Sequence, residues 1–135
     1  MIAFLDACAI IYRVEAIEPY LSKLKRALAQ LHGGATLPAI AVSRLSLIEC
    51  RVKPLRDKDR TTLGLYRAFF TAPGLRIVEL VPEIVDRATV IRADTNLTTA
   101  DALQAAAALS LGGAAQLYTN DEKFKRVRGL KVVLL

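Results

Sequence analysis

The stretch that decides the fold is "IAFLDACAIIY", residues 2–12, in which an apolar run leads directly into Asp6. The run Ile2–Leu5 is typical of a buried strand, and a short helix is predicted to begin near Ala9. Open α/β sheets bind their ligands beyond the carboxyl ends of the strands. Asp6 is therefore the first candidate for a functional side chain, although an aspartate here could also cap the following helix.

Length and composition predict one globular domain that spans residues 1–135. The chain has 135 residues, of which 53% are hydrophobic, and a chain of this size can bury a substantial core. Disorder is excluded on the same ground. The start lacks a basic segment and Asp6 interrupts its apolar run, so we expect no signal peptide, no membrane association and a cytoplasmic location.

The chain is basic, with 19 Lys and Arg residues against 13 Asp and Glu residues and a net charge of +6. The basic side chains form two groups, namely Arg51, Lys53, Arg56, Lys58 and Arg60, and Lys123, Lys125, Arg126, Arg128 and Lys131. Such groups attract polyanions, including nucleic acids. A solvated face that keeps the protein in solution is the alternative, and charge alone leaves both open.

The sulfur and imidazole side chains exclude two kinds of site. Cys8, Cys50 and His32 are the only residues of their types, and structural zinc takes four such ligands. His32 precedes two glycines and is predicted to lie in a loop, with nothing around it that suggests a catalytic triad. A single disulfide is open, and reduced thiols are the default inside the cell.

Strands and helices are predicted to alternate along the chain. Five short runs are predicted strands, namely Ile2–Leu5, Leu37–Val42, Arg76–Leu80, Gln116–Thr119 and Lys131–Leu134. Most are apolar throughout, which suits a parallel sheet that is covered on both faces. The fold class expected is therefore a three-layer α/β/α sandwich around a central parallel sheet of about five strands, with right-handed crossovers.

The segments between these strands carry helical signals. They are the repeat Leu21, Leu24, Leu28 and Leu31, the stripe Leu63, Tyr66 and Phe70 within 57–70, a helix Glu83–Ala93 behind Pro82, and a helix from the N-cap Thr98 to a stop at Gly112. A further helix should follow the N-cap Ser43, with Leu45, Ile48 and Val52 as its core stripe. Glu49 falls inside that stripe and is predicted to face inward.

Four carboxylates stand at positions that the predicted fold brings to one edge. Asp6 and Asp121 follow strands, Glu49 points inward from a helix, and Asp101 lies in the first turn of another helix. Each has a structural alternative: a cap for the three aspartates, and an Arg partner or an exposed position for Glu49. Taken together, four converging charges need compensation, and Mg²⁺ or Mn²⁺ bound by carboxylate oxygens would supply it.

The motifs "FLDACAIIY", "LSLIECRVKPL", "LTTADALQAAAAL" and "YTNDEKF" resemble, in order and spacing, the four acidic motifs of the PIN domain, and in particular the VapC-type toxins of bacterial toxin–antitoxin pairs. The resemblance covers essentially the whole chain. It implies a metal-dependent ribonuclease that hydrolyses RNA with Mg²⁺ or Mn²⁺. It also implies a homodimer that is inhibited by a cognate antitoxin.

The resemblance assigns roles to particular residues. Its catalytic and metal-binding quartet is Asp6, Glu49, Asp101 and Asp121, and Thr119 maps onto a supporting hydroxyl position. We expect Asp6 first and Asp101 second as direct ligands. Cys8 stands where relatives often carry Ser, Thr or Asn, and a thiol is a weak hydrogen-bond partner. Gln104 stands where many relatives carry His, and no catalytic role is assigned to it.

Three other interpretations compete with a nuclease. A PIN-like module that binds RNA or protein without catalysis would keep the fold and lose turnover. A phosphatase of the haloacid dehalogenase type needs a second aspartate where Cys8 stands, and a response-regulator receiver needs an acidic neighbour beside Asp6. The apolar surplus in 57–70, including Phe69, predicts either a dimer or antitoxin groove or simple core packing.

Overall fold

The computed structural model describes residues 1–31 and 38–135. Within these residues the sheet has five parallel strands in the order β3-β2-β1-β4-β5. The strands are β1 (Ile2–Leu5), β2 (Ala39–Ser43), β3 (Arg76–Val78), β4 (Ala115–Thr119) and β5 (Val132–Leu134). The predicted fold class, an α/β/α sandwich around a parallel sheet of about five strands, is confirmed.

Helices connect the strands and cover both faces of the sheet. They are α1 (Ala7–Val14), α2 (Tyr20–Leu31), α3 (Leu45–Arg56), α4 (Arg60–Phe70), α5 (Pro82–Thr95) and α6 (Thr99–Leu109), and a 3₁₀ helix, η1, spans Glu122–Arg126. In the part of the chain that the structure describes, none of these helices is long and apolar enough to cross a membrane.

Two cores flank the sheet because successive strand residues point to opposite faces. Phe4 and Leu117 pack against α5 and α6 on one face. Leu5 and Tyr118 pack against the layer formed by α1 to α4 on the other. Burial of both faces explains why the strands are apolar throughout rather than alternating, as the sequence predicted.

The strand boundaries differ from the predictions where pairing partners end. β3 stops at Val78 rather than Leu80 because Val78 pairs with Ser43, the last residue of β2. Beyond it, Glu79 instead forms a salt bridge with Arg44, at 2.5 Å. β4 begins one residue earlier than predicted and β5 one residue later. The predicted start of β2 at Leu37, and the loop predicted around His32, lie outside the described residues.

The helix ends follow their caps. The helix predicted from Asp57 begins at Arg60, because the Asp59 carboxylate accepts a hydrogen bond from the Thr62 N–H at 3.0 Å. Thr98 caps α6 as predicted and accepts from the Asp101 N–H at 3.2 Å. That helix ends at Leu109, before the predicted stop at Gly112.

The stripe predicted for α3 is wrong. Ile48 and Val52 are 60% and 42% exposed, and the buried positions are instead Ser46, Cys50 and Pro54. These smaller side chains allow α3 to lie close against the sheet and α6, and the large apolar side chains are left at the surface. Glu49, which was predicted to face inward with this stripe, is largely exposed. The predicted N-cap, Ser43, is the last residue of β2, and Arg44 takes the cap position.

Candidate active site

The site lies where the strand order reverses, between β1 and its neighbour β4. Both strands run in the same direction, and the N–H of Asp6 donates to the carbonyl of Tyr118 at 3.1 Å, which continues the β1–β4 ladder past Leu5. Asp6 and Thr119 thus emerge side by side at the carboxyl edge of the sheet. This reversal point is the place where open α/β sheets form their ligand crevice.

The Asp6 carboxylate is buried, with 8% of the residue exposed, and is held at both oxygens. Oδ1 accepts from the Ala7 N–H at 2.8 Å, and Oδ2 accepts from the Thr119 hydroxyl at 2.8 Å and from the Cys8 thiol at 3.6 Å. Asp6 caps α1, but capping uses only one oxygen. Burial raises the pKa of Asp6 despite these bonds, and the charge of Asp101 raises it further.

Glu49 meets the site through a buried amide. Its carboxylate Oε1 accepts from Nε2 of Gln104 at 2.7 Å, although much of the Glu49 residue is exposed. The same Nε2 donates to the Ser46 hydroxyl at 2.9 Å. Burial of the carboxyl group raises the pKa of Glu49, the Gln104 bond opposes the rise, and the charges of Asp6 and Asp101 add to it. The charges of Asp6 and Asp101 therefore reach Glu49.

Asp101 presents its carboxylate from the first turn of α6. Thr98 caps this helix, but among the described hydrogen bonds the Thr98 N–H does not donate to the Asp101 carboxylate, so the capping box is incomplete. The carboxylate is half-buried and acts electrostatically on both Asp6 and Glu49. The cap of α6 therefore uses the backbone N–H of Asp101 and not its carboxylate.

Asp121 is linked to this group through Thr119. Its backbone N–H donates to the Thr119 hydroxyl at 3.1 Å, and that hydroxyl in turn donates to Asp6. The Asp121 carboxylate accepts from the Lys123 N–H at 2.9 Å and thereby caps η1. The charge of Asp101 acts on Asp6 and Glu49, and Asp121 is linked to Asp6 through Thr119 while its carboxylate caps η1. That all four carboxylates share one pocket stays a prediction.

Among the described residues, no basic side chain forms a salt bridge with this group of carboxylates. The salt bridges within residues 1–31 and 38–135 join Arg44 to Glu79 and Lys53 to Asp57, and neither involves a candidate carboxylate. Hard oxygen donors without a cationic partner suit Mg²⁺ or Mn²⁺. In the described residues no three Asp, Glu, His or Cys side chains already stand at the spacing of ligands to one ion. The chemistry of the donor set fits a divalent cation.

Two further residues support the site. The Cys8 thiol lies 3.6 Å from Asp6 Oδ2 and 3.7 Å from the Thr119 hydroxyl, and burial raises the pKa of Cys8 to about 11. Gln104 was given no role from the sequence, yet it contacts Glu49 directly. The available signal was its position as the one amide in the run "ALQAAAAL". Both cysteines are free thiols.

The sequence matches the PIN domain family over residues 3–130, and the chain therefore belongs to the PIN domain family. Two solved structures share its fold. One is the crystal structure of VapBC2 from Rickettsia felis bound to a DNA fragment from their promoter, with a TM-score of 0.75, 20% identity, and coverage of 99% of this chain and 98% of that one. The other is a toxin–antitoxin complex from Klebsiella pneumoniae, with a TM-score of 0.69, 20% identity, and coverage of 97% and 95%. No curated protein matches the sequence.

Proposed function

We propose that this PIN-domain protein is an Mg²⁺- or Mn²⁺-dependent endoribonuclease, the toxin of a type II toxin–antitoxin pair. The observation that carries the proposal is the group of Asp6, Glu49 and Asp101 at the reversal point of the sheet, which has no basic partner among the described residues. The two similar structures are toxin–antitoxin complexes, which supports the toxin role.

Each residue of the proposed cation site has a distinct role. Asp6 and Asp101 would hold the cation directly, and Glu49 and Asp121 would complete the site. The Thr119 hydroxyl and the Ala7 N–H fix the orientation of the Asp6 carboxylate, so that this ligand is already in place when the cation arrives. When bound, the cation supplies a water of lowered pKa and stabilises charge on the scissile phosphate.

A groove between α3 and α4 is our proposed binding site for the antitoxin. It has a volume of about 630 Å³ and is lined mainly by apolar side chains and three arginines, namely Arg44, Leu47, Ile48, Arg51, Val52, Leu55, Leu63, Arg67, Phe70, Thr71 and Ile77. This lining fits an amphipathic segment with carboxylates beside its apolar face. Phe69, which the sequence suggested for such a groove, instead packs edge-on against Phe70, with 5.2 Å between ring centroids.

A homodimer is our proposed assembly, and α5 offers a face for it. Val81 and Val85 are 43% and 45% exposed. Beside them, a second groove of about 520 Å³ is lined largely by apolar side chains, Leu80 and Leu103 among them. A cytoplasmic location is proposed with it, because the free thiols of Cys8 and Cys50 suit a reducing compartment.

The nuclease is tested with Asp6→Asn, and Asp57→Asn is the matched control because Asp57 is an exposed carboxylate paired with Lys53. We expect wild type and Asp57→Asn to cleave RNA in saturating Mg²⁺, and Asp6→Asn to lose at least 100-fold in rate. An unchanged rate in Asp6→Asn removes Asp6 from the reaction. RNA binding without cleavage by the wild type supports the competing interpretation, a binding module without catalysis.

The antitoxin groove is tested with the inhibitor encoded beside this chain. Val52→Glu places a charge inside the groove, and Leu65→Glu places one on an exposed position of α4 outside its lining. We expect Val52→Glu to lose inhibition and Leu65→Glu to keep it. Equal inhibition of both variants would refute this position for the partner.

A further inference from the structure

Gln104 makes the most informative contact that the sequence did not reveal. Its side chain is fully buried, and its single Nε2 group donates both to Glu49 at 2.7 Å and to Ser46 at 2.9 Å. Its Oε1 atom is buried without a hydrogen-bond partner among the described residues. A buried amide with an unpaired carbonyl costs free energy, so it is not explained by stability alone.

We infer that Gln104 is a positioning residue, which holds Glu49 Oε1 towards Asp6 and Asp101 and so prepares Glu49 for a divalent cation. Glu49 stands on a helix whose neighbouring side chains Ile48 and Val52 face solvent. Without the Gln104 bond, little in the described contacts would keep its carboxylate at the site rather than in water. Because a donor to a ligand carboxylate orients that ligand, the bond lowers the cost of gathering the site.

This inference rests on the proposed function, and its test measures Mn²⁺ binding without RNA. Gln104→Met keeps the length and burial of the side chain but removes the donor. We expect it to raise the Mn²⁺ dissociation constant about 10- to 100-fold, the range found for donors to metal ligands. Gln104→His, which restores an N–H donor, should recover part of the affinity. Ser46→Ala is the matched control, because it removes the other partner of the amide and leaves the Glu49 bond.

The outcomes separate the inference from the proposed function. If Gln104→Met binds Mn²⁺ within twofold of wild type while Glu49→Gln binds it more weakly, the positioning role of Gln104 is overturned and the proposed function is not. Equal weakening in Ser46→Ala and Gln104→Met also overturns it, since general loss of packing would then explain both. A wild-type chain that binds no Mn²⁺ overturns the proposed function itself. Thermal unfolding without metal verifies that each variant is folded.

A separate observation concerns basic side chains on the flank formed by α5, α6 and the segment after η1. A cleft of about 510 Å³ there holds Arg87, Arg126 and Arg128. A smaller cavity of about 220 Å³ shares Arg87 and Leu109 with it and ends at Lys131. We name the pair the cationic cleft; its charged lining is Arg87, Arg126, Arg128 and Lys131, with Asp94 as the acid.

One end of the cationic cleft is formed by the segment of chain that follows Asp121. Arg126 ends η1, the helix that Asp121 caps, and its Nη1 donates to the carbonyl of Thr95 at 3.4 Å, just before the N-cap of α6. At the far end, Lys131 Nζ donates to the carbonyl of Gly113 at 2.9 Å. Arg126 and Lys131 thus donate to backbone carbonyls, which are neutral, so their positive charges can still attract an anion.

We propose that the cationic cleft binds successive phosphates of a single RNA strand that leaves the carboxylate site. This proposal also rests on the proposed function. Binding of a 12-nucleotide single-stranded RNA to the wild-type chain in EDTA is measured against salt concentration. Each lost phosphate contact lowers the log–log salt slope by about 0.7, so Arg126→Gln/Arg128→Gln should lower it by about 1.4.

Lys25→Gln/Arg26→Gln removes the same charge from exposed positions on α2 and is the matched control. A control slope equal to wild type supports the cleft. Equal reductions in both double variants overturn it, because net charge alone would then account for RNA binding. If Arg126→Gln/Arg128→Gln keeps the wild-type RNA slope but loses inhibitor binding, the cleft binds an acidic protein partner instead of RNA, and the proposal is overturned. No RNA binding by the wild type in EDTA overturns the cleft, whereas no RNA cleavage by the wild type in saturating Mg²⁺ contradicts the proposed function.

Discussion

Thr119→Val probes how the site holds its buried carboxylate. The Thr119 hydroxyl donates to Asp6 Oδ2 at 2.8 Å and accepts from the Asp121 N–H at 3.1 Å. Valine has the same shape but no hydroxyl. Oδ2 then keeps only the Cys8 thiol, at 3.6 Å. A hydrogen bond to a charged group contributes about 1.5–3 kcal/mol, so we expect Thr119→Val to lower the free energy of unfolding by about 2 kcal/mol at pH 7.

The loss should depend on pH in a definite direction. The Thr119 bond favours ionised Asp6 and lowers its pKa, although burial keeps that pKa above the ordinary value of 3.8. Removing the bond raises the folded pKa further, and the native state then holds its proton to higher pH. The destabilisation should therefore grow as pH rises through the folded pKa of Asp6. At lower pH, where Asp6 is neutral, it should fall to about 1 kcal/mol.

Urea unfolding of the metal-free chain at several pH values measures this difference, with Thr119→Ser as the control because serine restores the hydroxyl. Thr119→Ser should recover most of the lost stability. The reasoning is refuted if Thr119→Val costs less than about 0.5 kcal/mol at pH 7, or if its cost is the same at every pH, since a hydrogen bond to an ionised carboxylate would explain neither result.

Three further outcomes follow from the same contacts. The folded pKa values of Asp6 and Glu49 lie above their ordinary values of 3.8 and 4.5, so the stability these groups contribute is complete below the ordinary values and is lost as pH rises through the folded pKa. The unfolding free energy of the metal-free wild type, relative to that of Asp6→Asn/Glu49→Gln, should therefore fall from pH 4 to 7. A rise over this range would contradict the prediction. Tyr66 is fully buried and donates to the Glu15 carboxylate, so Tyr66→Phe should cost about 1–2 kcal/mol in urea unfolding, and a neutral result would show that water replaces the bond. The Cys8 pKa of about 11 predicts slow alkylation by iodoacetamide at pH 8, and a rate like that of a free thiol would refute it.

The sequence predicted the sheet and the strand ends that Asp6 and Asp121 follow because those depend on local patterns, whereas Thr119 was expected only from the resemblance to the PIN domain. Apolar runs identify strands that are buried on both faces, and the polar residue that ends such a run marks the carboxyl edge. Asp6 and Thr119 meet there because β1 and β4 are neighbours in a parallel sheet. The cap of α6 by Thr98 was predictable for a similar reason, since it depends on residues three apart.

The α3 face could not be predicted because two apolar faces compete on that helix. Ile48, Val52 and Leu55 form the more hydrophobic face, yet they line an open groove, whereas Ser46 and Cys50 are buried. Which face is buried depends on the room left by α6 and the sheet, and the helix's own sequence does not contain that information. The contacts of Gln104 could not be predicted for a related reason: in an alanine-rich helix nearly every position suits the core, and its partner Ser46 lies 58 residues away.

If Asp6, Glu49 and Asp101 form one site for a divalent cation, Mn²⁺ should stabilise the folded chain. A cation that binds only the folded chain raises the free energy of unfolding by about 2.7 kcal/mol at 100 times its dissociation constant. We expect that rise in the wild type and its absence in Asp6→Asn/Asp101→Asn. An equal rise in the double variant, or no rise in the wild type, would contradict the claim.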